Sequence, residues 1–94
     1  MKLINVIVFY DVSDNKIRNK IVKVLEEYGI RMQKSVFQCQ INMKNYIQMK
    51  IKLGGISKYE KEVSIVIAEI ENTSKVYYLN GKEAFNIKDS DIII

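Results

Sequence analysis

The sequence predicts an α+β domain in which two helices cover one face of an antiparallel β-sheet. Two runs of β-branched and aromatic residues are typical of buried strands, and two other segments place apolar residues at helical spacing. The 94 residues suffice for one small domain. A hydrophobic fraction of 48% and a charged fraction of 28% are typical of a globular chain rather than a disordered one.

The first strand is predicted over residues 3–10, LINVIVFY, which are apolar on both faces. The even-numbered side chains from Ile4 to Tyr10 face one way, and the odd-numbered ones from Leu3 to Phe9 face the other. Such a strand is typical of the centre of a sheet that is covered on both sides. Asp11 ends the run, and because charged residues follow without a small-residue cleavage site, we expect a strand rather than a signal peptide.

A helix is predicted over residues 14–28. Ser13 is a suitable N-cap, and Asp14 would lie in the positively polarised first turn. Apolar residues then recur at helical spacing: Ile17, Ile21, Val24, Leu25 and Tyr28. We expect Gly29 to end the helix in the left-handed C′ position.

Residues 30–41 alternate between two sides, which predicts extended chain. The sequence leaves open whether they form one long strand or two short ones folded at Lys34 and Ser35, since no Gly, Asn or Pro marks a turn. Asn42 can cap a second helix, which Gly54 and Gly55 are predicted to stop. The predicted inward stripe of this helix is Met43, Tyr46, Ile47 and Ile51.

Two further strands are predicted, over residues 63–70 (VSIVIAEI) and, more briefly, over residues 75–79 (KVYYL) before an Asn-Gly turn. If residues 30–41 form two strands, the first six elements have the β-α-β-β-α-β order of the ferredoxin-like fold. Residues 75–79 then add a C-terminal strand. We expect a ferredoxin-like domain over residues 1–80 and a tail or edge strand over residues 81–94.

Both helices of this arrangement lie on one face of the sheet, so the other face is left bare. Residues 3–10 and 63–70 are nevertheless apolar on both sides. A chain of this length has little left to cover a second face. The sequence therefore predicts a two-fold homodimer in which the two sheets meet face to face.

The composition limits the chemistry. With no histidine and a single cysteine, Cys39, the chain has neither a histidine acid–base pair, nor a Cys-His nucleophile, nor the ligands of a structural zinc site. A bound metal must be a hard cation on oxygen ligands, such as Mg²⁺ or Mn²⁺. The lone cysteine fits a reducing compartment, and no run of about 18 apolar residues is present. We therefore expect a cytoplasmic protein without a membrane span.

The net charge of +4 is unevenly distributed. Residues 15–58 carry ten basic and two acidic side chains, whereas residues 59–94 carry four basic and seven acidic ones. A basic middle segment favours a phosphate-rich partner such as nucleic acid. A lysine-rich solvated surface explains the same counts, and charge alone does not choose between the two.

Asp11 is the candidate catalytic and metal-binding residue, because it lies where the first strand gives way to the first helix. A carboxylate there can hold Mg²⁺ or Mn²⁺ together with water and substrate phosphates. Asp-x-Ser-Asp before a helix is also ordinary capping chemistry. Both interpretations stay open, and they are compatible if Ser13 caps the helix while Asp11 points away.

Two groups of residues could contact nucleic acid. The first is a strand face: Arg31, Gln33, Ser35 and Phe37. The second is a helix face: Lys16, Arg18, Lys20 and Lys23. Arginine, amide and hydroxyl groups bind phosphate oxygens, and a row of cations can follow a nucleic-acid backbone. A solvated strand edge and a solvated helix face are the alternatives.

Residues 9–14 (FYDVSD) and 28–39 (YGIRMQKSVFQC) resemble the Cas-two family of CRISPR-associated adaptation proteins. The features are Y-D-x-S-D after the first strand, a basic helix that closes in Y-G, and R-x-Q-x-S-V-F at a fixed distance. The likeness is close over residues 1–41, and the order of elements fits to about residue 79. After Gly54 the chain departs more, with an acidic tail that ends in three isoleucines.

The resemblance implies a ferredoxin-like homodimer and a tight reversal at Lys34 and Ser35. It implies that the two copies of Asp11 hold one divalent metal near the dimer axis for phosphodiester hydrolysis, as in a metal-dependent endonuclease on RNA or DNA. By position, the surroundings of this site are Tyr10, Ser13, Arg31, Ser35 and Phe37. Arg18 and the lysines of the first helix match a DNA-facing basic patch.

The family also implies a partner, the Cas-one integrase, which a Cas-two dimer bridges during spacer acquisition. Three functions are therefore weighed: an endonuclease, a non-catalytic DNA-binding module of the integration complex, and a ferredoxin-like regulator that binds a small ligand or another protein. The first two predict salt-dependent nucleic-acid binding, and the third predicts none at physiological salt.

Overall fold

The computed structural model describes residues 2–58 and 60–79. The order of its elements is β-α-β-β-α-β, as predicted, followed by a short 3₁₀ turn at Thr73–Lys75. The four strands are β1 (Ile4–Val12), β2 (Gly29–Gln33), β3 (Val36–Ile41) and β4 (Val63–Glu69). The helices are α1 (Asn15–Tyr28) and α2 (Met43–Ser57). The predicted boundary at residue 80 and the tail at residues 81–94 lie outside the described residues.

The strands form one sheet in the order β2-β3-β1-β4, and every neighbouring pair is antiparallel. Val8 in β1 lies opposite Phe37 in β3 and Ile67 in β4, so β1 occupies a central position, as predicted. The segment 30–41 forms two strands, with the reversal at Lys34 and Ser35 that the family resemblance implied. These features confirm an α+β fold of ferredoxin-like topology.

The core lies between the helices and one face of the sheet. Alternate side chains of β1 from Val6 to Val12 are buried there, because successive residues of a strand point to opposite faces. They pack with Ile21 and Leu25 of α1 and with Phe37 of β3. The remaining members of this core come from β3 and α2: Cys39, Ile41, Tyr46, Met49 and Leu53.

Among the described residues, no helix lies on the other side of the sheet, here called the open face. Ile7 and Phe9 of β1 point to it, and β4 adds Val66, which is 53% exposed. Residues 76–79 cover part of this face. They border a cavity of about 480 Å³ together with Ile7, Phe9 and Gln38, and Tyr78 Oη donates a hydrogen bond of 2.9 Å to Gln38 Oε1.

The prediction of a strand at residues 75–79 is wrong. The segment begins with the Thr73–Lys75 turn, and residues 76–79 have no strand assignment. Its apolar side chains lie over the open face instead of pairing along an edge of the sheet. The sequence correctly indicated an extended apolar segment, but pairing requires a free edge alongside, which composition does not reveal.

The cap of α1 also differs from the prediction. Asp14, not Ser13, is the N-cap, and its carboxylate accepts a hydrogen bond of 3.0 Å from the Ile17 amide. Aspartate serves as well as serine in this position and adds a favourable charge at the positive end of the helix dipole. Capping is therefore performed by Asp14, which leaves the neighbouring carboxylate of Asp11 free of that role.

Gly29 does not adopt the predicted left-handed conformation. Its φ of −159° and ψ of −167° are extended, and it begins β2 directly after α1. Glycine is needed there for a different reason. A Cβ atom would collide with the Gln38 carbonyl oxygen and with Cys39 Sγ, because β2 approaches β3 closely at this point.

Helix α2 continues through Gly54 and Gly55 to Ser57, so the predicted stop is wrong. Ser57 Oγ donates to the Leu53 carbonyl and satisfies one of the terminal acceptors. The inward face consists of Tyr46, Met49 and Leu53. Three members of the predicted stripe are exposed instead: Met43, Ile47 and Ile51. Both stripes have helical spacing, and only contact with the sheet decides which one is buried.

We expect Gly29→Ala to destabilise the fold by about 1–3 kcal/mol, because a methyl group enters a gap already filled by β3. Gly54→Ala is the matched control, since beyond its own helix backbone no atom lies within 4 Å of the position that the added methyl group would take. There the better helix propensity of alanine should stabilise by about 0.5–1 kcal/mol. Urea unfolding of both variants tests this, and equal effects of the two substitutions would refute the steric explanation.

The buried thiol of Cys39 should make stability depend on alkaline pH. Burial raises its pKa from 9.0 to about 11, and its Sγ lies 3.9 Å from Met49 Sδ. The folded protein thus holds this proton more tightly than the unfolded chain does. The resulting stabilisation is complete below pH 9.0 and is lost as the pH rises through about 11.

The free energy of unfolding should therefore fall more steeply across that range in the wild type than in Cys39→Ala, which has no thiol to ionise. The comparison concerns the two slopes against pH, because the alanine variant also loses packing and starts from a lower stability. Parallel curves for the two proteins would show that the thiol does not contribute.

Candidate nuclease site at the end of strand β1

Asp11 lies near the carboxyl end of β1, opposite Ser64 of β4. Its side chain is exposed and points to the open face, like Phe9 two residues earlier. The strand extends further than predicted, because Val12 still pairs with Val63. Regular strand pairing with β4, and not a loop, therefore fixes the backbone at Asp11.

The turn that follows Asp11 is fixed by an arginine of α1. Arg18 Nη1 donates a hydrogen bond of 3.1 Å to the Val12 carbonyl, and Nη2 donates to Asn15 Oδ1. Arg18 is half-buried. The family resemblance implies that Arg18 faces DNA, but in this structure at least two of its donors serve the main chain and a neighbouring side chain.

Asp11 shares a shallow cleft of about 410 Å³ with Ser13 and with four residues that the sequence did not single out as site residues. The residues that line it are Asp11, Ser13, Lys61, Glu62, Val63 and Ser64. Lys61, Glu62 and Ser64 come together with Asp11 because the start of β4 runs antiparallel to the end of β1. Only the strand register brings them there, so no local signal in the sequence could have found them.

The reversal between β2 and β3 is held by two side chains that donate to one carbonyl oxygen. Tyr10 Oη lies 2.8 Å from the Lys34 oxygen, and Arg31 Nη2 lies 2.7 Å from it. The main-chain amide of Tyr10 also donates to the Ser35 carbonyl at 3.1 Å. Tyr10 and Arg31, which the sequence suggested as nucleic-acid contacts, thus donate hydrogen bonds to the main chain.

Two of the predicted nucleic-acid contacts are core residues, which corrects the prediction for them. Tyr10 is 4% exposed and Phe37 is fully buried, with ring centroids 6.2 Å apart. Neither ring can reach a nucleic acid in this structure. The other predicted residues are accessible: Ser13, Lys16, Lys20, Arg31 and Gln33 are exposed, and Arg18 and Ser35 are half-buried.

Asp11 and Arg31 do not lie side by side as the motif suggested. Arg31 pairs with Phe37, which belongs to the helix side of the sheet, whereas Asp11 points to the open face. The pleat therefore assigns the two side chains to opposite faces. Of the predicted set, the structure brings only Ser13 into the cleft with Asp11.

The oxygen donors around Asp11 fit a hard divalent cation. Asp11 and Glu62 line one cleft with Ser13, Ser64 and Lys61, and carboxylates completed by water and substrate phosphates are the ligands that Mg²⁺ prefers. Within residues 2–58 and 60–79, no group of three or more Asp, Glu, Cys or His side chains is arranged to hold an ion. The described residues of one protomer thus supply only part of a metal site.

Comparison with known proteins decides the family. The sequence model described as CRISPR associated protein Cas2 matches residues 4–76, most of the chain. The chain belongs to the Cas2 family. This confirms the resemblance found in the motifs of residues 9–14 and 28–39.

Individual relatives agree with that membership. The chain is 40% identical over 55 residues to a protein of Chloroflexus aurantiacus described as CRISPR-associated endoribonuclease Cas2 1. The match covers 58% of this chain and 59% of that protein. A solved Thermus thermophilus structure, described as a hypothetical protein, has a TM-score of 0.77 and 23% identity, over 87% of this chain and 98% of its own.

A second solved structure is a chain of a partial Cas6-RT-Cas1–Cas2 complex, with a TM-score of 0.63 and 25% identity. The match covers 83% of this chain and 92% of that one. These likenesses confirm the ferredoxin-like α+β fold of the Cas2 family for this chain. Of the helices described, none has the length and hydropathy needed to cross a membrane.

Proposed function

We propose that this chain is a cytoplasmic CRISPR adaptation protein that acts as a metal-dependent endonuclease on RNA or DNA and assembles with an integrase during spacer acquisition. The observation that carries the proposal is the exposed carboxylate of Asp11 in an oxygen-lined cleft, within a chain whose Chloroflexus relative is described as an endoribonuclease. Membership of the Cas2 family supplies the link to CRISPR adaptation.

Asp11 is the proposed ligand of Mg²⁺ or Mn²⁺ and the proposed catalytic residue. With Asp11 as its ligand, a divalent ion would supply charge neutralisation at the phosphate and an activated water, which suits a chain without histidine. Ser13, which lines the same cleft, can donate a hydrogen bond to a phosphate oxygen. Because Asp14 caps α1, Asp11 is free to bind metal.

We propose a homodimer through the open face, which would bring the metal-binding residues of two copies together. Phe9 is 42% exposed and Val66 is 53% exposed, so the described residues leave an apolar surface uncovered on two adjacent strands of the sheet. Residues 76–79 cover the side of the open face nearer to β2 and β3, so we propose that the β1–β4 side meets a second copy. Asp11 points to the same face, and two-fold pairing there would bring two carboxylates toward one axis.

Nucleic acid is the proposed substrate and partner. Exposed cations of α1, notably Lys16 and Lys20, offer phosphate contacts, and Gln33 and Ser35 offer polar ones. Arg18 contributes positive potential from a fixed position beside the Val12 carbonyl. The sequence-independent character of such contacts is consistent with either RNA or DNA.

The alternative is a non-catalytic DNA-binding scaffold that bridges copies of the Cas-one integrase. It is favoured by the structural relative within a complex that contains Cas1 and Cas2. It is also favoured by the small number of carboxylates near Asp11 in the described part of one protomer. The two functions share the dimer and the basic surface and differ only in the need for Asp11.

The proposed dimer predicts that Val66→Lys weakens self-association at least about tenfold, because a buried, unpaired ammonium group is costly at an apolar interface. Ile51→Lys is the matched control. Ile51 is 68% exposed on the outer surface of α2 and carries the same change of charge to a site away from the open face. Sedimentation velocity should find the control as dimeric as the wild type, and an undiminished dimer in Val66→Lys would refute this interface.

For catalysis, Asp11→Asn should abolish Mg²⁺-dependent cleavage in the purified protein, since an amide cannot replace the carboxylate as a charged ligand. Asp14→Asn removes one charge three residues away but retains a good N-cap, so it should cleave like the wild type. Cleavage that survives Asp11→Asn would exclude the proposed role of this residue.

The same Asp11→Asn protein also separates the two candidate functions. Loss of cleavage together with normal spacer acquisition in cells would favour the scaffold, whereas loss of both would favour the nuclease. Melting temperatures of both aspartate variants serve as the control for folding. Equal loss of acquisition in Asp14→Asn would point to a charge effect on the loop instead of a ligand effect.

A further inference from the structure

We propose that Tyr10 and Arg31 are positioning residues for Asp11, which they hold in place through the main-chain carbonyl of Lys34. Their hydrogen bonds connect the end of β1 to the reversal between β2 and β3. They thereby fix the direction in which the Asp11 side chain projects from β1. The catalytic consequence rests on the proposed nuclease function, whereas the structural consequence does not.

The geometry of this connection is specific. Tyr10 Oη donates to the Lys34 oxygen at 2.8 Å, and Arg31 Nη2 donates to the same oxygen at 2.7 Å. A carbonyl oxygen has two lone pairs, so it can accept both bonds at once. The arginine bond is charge-assisted, and such bonds are shorter and stronger than those between neutral groups.

Tyr10 is fixed at both ends. Its amide donates to the Ser35 carbonyl at 3.1 Å, its hydroxyl reaches the Lys34 carbonyl, and its ring is packed against Phe37 with only 4% exposure. Asp11 is the next residue and points to the opposite face. Because successive side chains of a strand share one backbone, immobilising Tyr10 restricts the orientation of Asp11.

The two arginines of the chain are used in the same way, although the chain has 15 basic residues. Arg18 donates to the Val12 carbonyl, one residue after Asp11, and Arg31 donates to the Lys34 carbonyl beside Tyr10. A guanidinium group presents a rigid fork of donors, which suits directional bonds to carbonyl oxygens better than a flexible ammonium group does. The arginines thus brace the main chain on both sides of Asp11.

The competing role for Arg31 is a direct phosphate ligand. That role would place its guanidinium group next to Asp11, but Arg31 is not among the residues that line the Asp11 cleft. Its pairing with Phe37 assigns it to the opposite face of the sheet. Among the described residues of one protomer, the contacts of Arg31 therefore lead to Asp11 through the main chain.

Three variants test the proposal on the full chain. Tyr10→Phe removes only the hydroxyl donor and retains the buried ring. Arg31→Gln removes the charge-assisted bond, and Arg31→Lys, which keeps the charge and one donor, should restore part of the function. Lys34→Gln is the matched control, because it removes one positive charge from the same turn and leaves the acceptor carbonyl in place.

The first measurement is amide hydrogen exchange of residue 10 in the absence of metal and nucleic acid. Loss of a donor to the shared acceptor should raise the exchange rate of this amide about tenfold, both in Tyr10→Phe and in Arg31→Gln. Lys34→Gln should keep the protection of the wild type. Unchanged exchange in both test variants would overturn the proposal, whether or not the protein is a nuclease.

The second measurement is cleavage kinetics with Mg²⁺. Both test variants should lower kcat by about 10- to 100-fold, the usual effect of losing a group that orients a ligand, while KM stays within about twofold. A phosphate ligand would behave differently. Its loss would raise KM and reduce the dependence of binding on log salt concentration by about one unit.

Either of two results would therefore overturn the proposal: a raised KM with unchanged kcat in Arg31→Gln, or an equal loss of kcat in Lys34→Gln.

If the wild type shows no cleavage with Mg²⁺ or Mn²⁺, the proposed nuclease function fails. Amide exchange then decides the structural claim alone, and calorimetric titration of Mg²⁺ into wild type and Tyr10→Phe decides whether Asp11 is being positioned. Equal affinities would reject positioning.

Discussion

The alternation of side chains along the central strand β1 is the constraint on which the rest of the molecule depends. Val6, Val8 and Tyr10 are committed to the core beneath the helices, so Ile7, Phe9 and Asp11 must face the other way. A slip of one residue in the pairing with β3 or β4 would bury Asp11 and expose the core residues. The fold and the exposure of the candidate catalytic carboxylate are thus one property of the chain.

The same alternation links assembly to chemistry. An apolar open face beside an exposed carboxylate means that the surface available for a second copy is also the surface that presents Asp11. A single protomer offers few carboxylates at this point in its described residues, whereas a two-fold pair doubles whatever one copy provides. In this view the proposed dimer is a condition for the proposed metal site and not an addition to it.

The polar residues of the family motif mostly act on the main chain. Tyr10, Arg18 and Arg31 donate to carbonyl oxygens at the two turns that flank Asp11, and Asp14 caps α1. Most members of such a motif can therefore support the backbone around a single candidate residue, here Asp11. Sequence spacing shows that such residues occur together, but it does not show which of them reach a ligand.

Periodicity along contiguous segments determined from the sequence alone that two helices form, that β1 is central and where Asp11 lies. It left open whether residues 30–41 form one strand or two, and only the family resemblance implied the reversal at Lys34 and Ser35. The local resemblance over residues 9–39 was also sufficient to indicate the family. Only the tertiary structure decided that α2 buries Met49 and Leu53 rather than Met43, that Gly29 is required by close contact with β3, and that Arg31 lies across the sheet from Asp11. These outcomes depend on which surfaces meet, and contacts between distant segments are set by strand register and packing that no single segment encodes.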